Sequence, residues 1–196
     1  MKLVVGLGNP GRRYAATRHN IGYRVAEAFA AQHGITLSSR KFSGRFGRGR
    51  VGHCDVAVLE PETFMNLSGE AVADAVRLLP MGDLATDLLV VSDDVDLPFG
   101  RLRMRPGGGP GGHKGLRDII EHLGQDGFPR LRFGVGRPAH PGQDTADWVL
   151  EAFGSEEEEA LPARVDDAAR AISTFVESGI QAAMNQWNRD ADAAQR

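Results

Sequence analysis

The sequence predicts an α/β protein, a single-domain three-layer α/β/α sandwich around a twisted mixed β-sheet. Three observations carry this expectation. Short apolar runs at residues 3–5, 56–59 and 88–91 alternate with segments of helical period, the pattern of a sheet covered by helices. Basic stretches at residues 40–50 and 101–105 read as hairpin-like strands, which brings antiparallel pairing into the sheet. The 196 residues, 41% of them apolar, suffice for one sizeable core without requiring a second. The domain is expected to span residues 1–190, with residues 191–196 a frayed tail.

Each element has its own signal. Leu3, Val4 and Val5 form a strand ending in glycine, followed by a polar loop with Asn9 and Pro10, then Arg12, Arg13, Arg18 and His19-Asn20 at a helix entrance. Val25 and Phe29 follow Ile21 at four-residue spacing, so residues 21–32 read as a helix closed by Gly34. Arg40, Lys41, Arg45, Arg48 and Arg50, interleaved with Phe42, Phe46 and glycines, suggest a twisted hairpin strand suited to phosphate. Val56 to Leu59 is a buried strand ended by Glu60-Pro61, and Val72, Val76 and Leu79 mark a helix entered near Asn66 or Ser68. Leu88 to Val91 is apolar on both faces, as at the centre of a covered sheet, and runs into Ser92-Asp93-Asp94-Val95-Asp96, where open α/β sheets place ligand crevices. Arg101, Arg103 and Arg105 alternate with Leu102 and Met104 as a strand with one cationic face. A glycine-rich loop from Gly107 to Gly115 leads into a helix with Leu116, Ile119, Ile120 and Leu123, and residues 131–136 form a further short strand. Ser155 with Glu158 reads as a capping box for a helix bearing Leu161, Val165, Ile172 and Phe175, and a last helix starts near Ile180.

Composition sets limits. The single cysteine, Cys54, permits no intramolecular disulfide and fits a reducing, cytoplasmic compartment. No apolar run reaches the roughly 18 residues of a membrane span, and the first residues do not resemble a signal peptide. A net charge of -3 alone argues against a nucleic-acid partner, yet the charge is segregated. Residues 1–50 hold ten Lys or Arg against one acid, and residues 51–100 hold one against ten. Folding could therefore set a positive face opposite a negative one, although scattered solvated charge is the plainer reading.

Gly6, Gly8 and Gly11 match the G-x-G-x-x-G spacing of dinucleotide sites. Against that reading, Pro10 removes a phosphate-facing N–H and no acid lies between Gly34 and Gly52 to meet a ribose. A variant using Arg40 and Lys41 on a 2′-phosphate stays open as a minor alternative. Signatures of a serine-hydrolase elbow, a P-loop, a zincin and a C-x-x-C pair are absent. What remains is histidine with carboxylates and amides. His19 can accept a proton at neutral pH if a carboxylate fixes its tautomer, and Asp93, at a strand end, is placed to reach it. Otherwise His19 is a surface or capping residue.

Five stretches in order, GLGNPGRRYAATRHNIGY, PETFMNLSGEAV, VVSDDVDLPFGRLRMR, GGGPGGHKGLRDII and RLRFGVGRP, resemble the bacterial peptidyl-tRNA hydrolase family over most of residues 3–138. The resemblance implies a monomeric cytoplasmic α/β enzyme, without metal or other cofactor, that cleaves the ester joining a peptide to tRNA and so recycles the tRNA. It implies His19 as general base, Asp93 as its orienting carboxylate, and Asn9 as an amide selecting peptidyl over aminoacyl substrates. Asn66 would bind the peptide and terminal nucleotide. Phe64, Met65 and Tyr14 would supply walls and stacking surface, with ordinary core packing the alternative for Phe64 and Met65. His113 joins the substrate-binding set, and Arg105 and Arg132 would contact tRNA phosphate. The +9 amino-terminal block could line the tRNA approach, with Glu156 to Glu159 pointing elsewhere.

Two positions depart from the family pattern G-G-G-H-G-G-H-N-G: Pro110 replaces its first histidine and Lys114 its asparagine. Lys114 could donate to an oxyanion, pair with an acid or meet tRNA phosphate, and a cation near His19 would lower the imidazole's pKa. Ser92 stands where the family often has histidine. The alternative function is an RNA-binding protein of this fold without hydrolase activity.

Overall fold

Strand β1 (Lys2–Gly6) is the spine on which both faces of the molecule are built. In the computed structural model, which describes residues 1–138, 140 and 142–188, Leu3 and Val5 point into one apolar cluster and Val4 into another. This is the two-residue alternation of a strand covered on both sides. The expected frayed tail at 191–196 lies outside the described residues.

The sheet has seven strands in the order β2-β3-β4-β1-β5-β7-β6. These are β2 (Ser39–Lys41), β3 (Gly44–Val51), β4 (Cys54–Pro61), β5 (Leu88–Asp94), β6 (Leu102–Arg105) and β7 (Arg130–Gly134). β4, β1, β5 and β7 run parallel, whereas β2, β3 and β6 pair antiparallel at the two flanks, giving the expected mixed sheet. Helices α1 (Ile21–Gln32) and α6 (Ser155–Trp187) cover one face, packing Ile21, Val25, Phe29, Ile172 and Phe175 on Val4, Leu89 and Val91. Helices α2 (Ser68–Leu78) and α4 (Lys114–Leu123) cover the other, with Val72, Ala75, Leu116 and Ile119 on Leu3, Leu59 and Val90. Two short helices, α3 (Leu84–Asp87) and α5 (Thr145–Val149), were not foreseen from periodicity; each is a turn whose Asp cap, Asp83 or Asp144, accepts a backbone N–H.

Several boundaries differ from the sequence reading. β4 continues through Glu60 and Pro61, because Gly44 and Arg45 of β3 pair with them, and Glu60 is fully buried. The last parallel strand is Arg130–Gly134 rather than 131–136. At the start of α6, Glu157 accepts the Gly154 N–H at 2.8 Å, so the cap sits one residue before the expected Ser155–Glu158 box. The break before the last helix is at Gly179, whose φ of 82° is a left-handed value that glycine adopts without strain, and Ile180 follows it as expected. At the free edge of the sheet, the Asn188 amide accepts the Met104 N–H at 2.7 Å and donates to the Met104 carbonyl at 3.0 Å.

Candidate active site

Carboxyl ends of parallel strands collect loops, and here those after β1, β4 and β5 meet the glycine-rich loop before α4 around a cleft of about 540 Å³. Glycines let the first loop lie close: a Cβ on Gly6 would stand 2.4 Å from the Gly22 carbonyl of α1, and one on Gly22 a similar distance from Leu7 O. Of the glycines whose spacing resembled a nucleotide loop, Gly6 and Gly8 thus allow close packing on α1, whereas Gly11 serves a left-handed turn with φ 103°. Asn9 is pinned from three sides. Its N–H donates to Asn20 Oδ1 at 2.9 Å, its carbonyl accepts from Asn20 Nδ2 at 2.9 Å, and its own Oδ1 accepts the Met65 N–H at 2.8 Å. With the amide oxygen occupied, Nδ2 is the group left as a donor at the cleft wall.

His19 lies in a 3-10 turn, Arg18–Asn20, that is anchored from outside. Arg18 is buried, donates to Ala152 O at 2.7 Å and Glu157 Oε2 at 2.8 Å, and stacks 3.5 Å from the Trp148 ring. His19 Nδ1 is 2.8 Å from Asp93 Oδ1. A carboxylate only accepts, so Nδ1 bears the proton and Nε2 is left as the basic nitrogen. Burial pushes the imidazole pKa down, but the charge and hydrogen bond of Asp93 outweigh it, and the net shift is upward; the Lys114 cation pulls against it, as expected. Asp93 is itself buried, which favours its neutral form, yet the two histidines hold its carboxyl well below the usual carboxylate range.

The second of those histidines is the main addition to the sequence reading. His113 Nε2 donates to the same Asp93 Oδ1 at 3.0 Å, while its Nδ1 accepts the Leu116 N–H at 3.2 Å as the N-cap of α4. His113 therefore contacts the same carboxylate oxygen as His19. The three groups offer ligand atoms within 4.8 Å of one another, a spacing that could suit a cation. The hydrogen bonds oppose it: a metal on His113 Nε2 would move the ring proton to Nδ1, against the Leu116 N–H.

The other expected site residues separate into groups. Asn66, exposed Phe64 and Lys114 line the cleft with Asn9, His19 and Asp93. Met65 also lines it but is buried in the core beside α2 and α4, so wall and core packing coincide there, whereas half-exposed Phe64 is not core. Lys114 forms no ion pair among the described residues. Tyr14 is not among the lining residues; Arg13 stacks over its ring at 4.6 Å. Arg132 lines the cleft but is engaged by Asp94 at 3.2 Å and Gly109 O at 3.3 Å, and Arg105 is exposed on the edge strand β6. Ser92 is buried with its hydroxyl unpartnered.

The amino-terminal basic block is not a free cationic face. Arg18 and Arg24 pair with Glu157 and Glu158, which therefore do not point elsewhere; Arg40 pairs with Glu62, Arg45 with Glu27 and Glu60, and Arg50 with Asp55. Segregation in sequence becomes pairing in space. Sequence reasoning gave no signal for Asn20 or Arg18, because their partners are backbone groups and side chains far along the chain.

An α/β fold whose carboxylate-paired histidine turns its other ring nitrogen to an open cleft lined by donor groups is an arrangement suited to general-base hydrolysis. Comparison gives the family. The family model described as peptidyl-tRNA hydrolase matches residues 3–195. The chain is 49% identical to a peptidyl-tRNA hydrolase of Symbiobacterium thermophilum, over 95% of this chain and 98% of that protein. It is also 49% identical to one of Chloroflexus aggregans, over 96% and 99%. A crystal structure of the peptidyl-tRNA hydrolase of Acinetobacter baumannii superposes with a TM-score of 0.84 at 38% identity, covering 96% of this chain and 95% of that one. The chain belongs to the peptidyl-tRNA hydrolase family.

Proposed function

We propose that this chain hydrolyses the ester between the peptide and the tRNA of peptidyl-tRNA, with His19 as general base. The observation that carries the assignment is the 2.8 Å contact of His19 Nδ1 with Asp93, which leaves Nε2 as acceptor inside the cleft. Nε2 takes a proton from water as the oxygen attacks the ester carbonyl, and Asp93 stabilises the imidazolium that forms. The imidazolium then returns the proton to the departing ribose oxygen. Asn9 Nδ2 donates to a peptide carbonyl, a partner that a free aminoacyl group lacks, and a donor left unpaired penalises such substrates. Asn66 holds the peptide and terminal nucleotide, with Phe64 and Met65 as the wall. Lys114, exposed at the first turn of α4, supports the carbonyl oxygen as negative charge develops on it. Arg105 meets tRNA phosphate without reading sequence, and Arg132 does so on leaving Asp94. The enzyme acts as a monomer in the cytoplasm.

Release of peptide from an N-blocked aminoacyl-tRNA tests this. Cleavage by the native chain and none by His19→Ala is the expected result; normal turnover by His19→Ala would remove the mechanism. Binding of the tRNA by the native chain with its ester left intact would favour the RNA-binding alternative.

A further inference from the structure

We propose that Arg130 is a positioning residue for this hydrolysis, its buried guanidinium clamping the glycine-rich loop so that His113 meets Asp93. Among the described residues Arg130 is the largest fully buried side chain, and none of their carboxylates forms an ion pair with it. Its two terminal nitrogens donate to two backbone carbonyls, Gly109 O and Asp126 O, each at 3.0 Å, and its plane lies 4.5 Å from the Phe128 ring. Nε is buried without a partner. Burial and the neighbouring Arg132 cation push its pKa down to about 10, with Asp126 acting in the other direction. An apolar side chain would fill this space without the cost of burying a charge, so the guanidinium calls for an explanation beyond packing.

The carbonyls it holds supply one. Asp126 O also accepts the Gly108 N–H at 3.0 Å, and Gly109 O also accepts from Arg132 at 3.3 Å. The loop thus runs from a fixed Gly108-Gly109 into Pro110, whose carbonyl accepts the His113 N–H at 3.1 Å. His113 then reaches Asp93 and caps α4. Five of the six residues 107–112 are glycine, a chain that does not hold a histidine in place by itself. A planar fork spanning two carbonyls supplies what the loop lacks; a lysine, a point charge, cannot span both.

This inference rests on the hydrolase reading, and the native chain separates the two: if it does not cleave peptidyl-tRNA, that reading fails first. Given cleavage, kcat and KM are measured for Arg130→Met and Arg130→Lys well below their melting temperatures. The expected result is a kcat lowered on the order of 10²-fold in both, with KM changed little, since a displacement of about 1 Å near the reacting groups costs that much. Adding His113→Ala to Arg130→Met should cost under about twofold more, because the two act through one contact. Gly107→Ala leaves the arginine in place but sets a Cβ 2.9 Å from Asp126 O, and it should lower kcat in the same way, which keeps the test open if the Arg130 variants do not fold. Native kcat in any folded variant, or a full additive loss in the double variant, would overturn the proposal.

Discussion

At the scale of single residues, the proposed proton relay is testable through the groups around His19. Asp93→Asn keeps the shape of the group but turns one accepting oxygen into a donor, so the His19 tautomer is no longer fixed. We expect kcat to fall by about 10²–10⁴-fold with KM changed little, measured on N-blocked aminoacyl-tRNA. The His19 pKa is raised, and the protonated ring cannot act as a base. Activity is therefore expected above that raised value and lost as pH falls through it, so the acid limb of kcat/KM is displaced to higher pH than an unperturbed histidine would give. Lys114 opposes the shift, and Lys114→Asn should move the limb to still higher pH while keeping substantial activity at its plateau; an unmoved limb would mean the two groups do not interact. His19 and Asp93 were legible in the sequence because a helix entrance and a central strand end are places where chemistry collects, and the family resemblance then supplied their roles. His113 as the second donor to Asp93 was not, since that contact exists only when two loops from different strands meet.

At the scale of elements, the runs of apolar residues fixed where strands lie, but not how far they extend. Glu60-Pro61 reads as the end of a strand because neither residue favours one, yet pairing with β3 carries β4 through both. The result is a fully buried carboxyl opposite Arg45. Burial and nearby Glu27 outweigh the Arg45 charge, pushing the Glu60 pKa up to about 8. The unfolded carboxyl titrates near about 4.3. The folded state therefore binds the proton more tightly, and stability declines as pH rises from the unfolded value to about 8, then levels. Glu60→Gln removes this dependence. Its melting temperature should gain on the native protein as pH rises from about 5 to about 8, and calorimetry at several pH values shows whether the difference widens. Cations interleaved with Phe42, Phe46 and glycines announced the hairpin; no local pattern shows that a glutamate at the end of β4 will be enclosed.

At the scale of the whole molecule, net charge misleads in both directions. The segregated blocks appeared to promise a broad cationic face, but most arginines of the amino-terminal block fold onto glutamates and aspartates. Two of these pairs, Arg18–Glu157 and Arg24–Glu158, join segments more than a hundred residues apart, and such tertiary pairing is invisible to a running count. Exposed Arg105 on β6 remains available to phosphate. Arg105→Ala should raise KM and reduce the slope of log affinity against log salt by about 1, leaving kcat at saturation unchanged, as for loss of one phosphate contact. β6 is also the sheet's last strand, and the Asn188 side chain takes up both backbone groups of Met104 there. One amide thus stands in for a neighbouring strand and hides a short template on which further copies could otherwise stack. A chain cut just before Asn188 should keep its fold and its chemistry yet self-associate at raised concentration, visible in light scattering. On that expectation Asn188, absent from the cleft lining, guards solubility rather than catalysis.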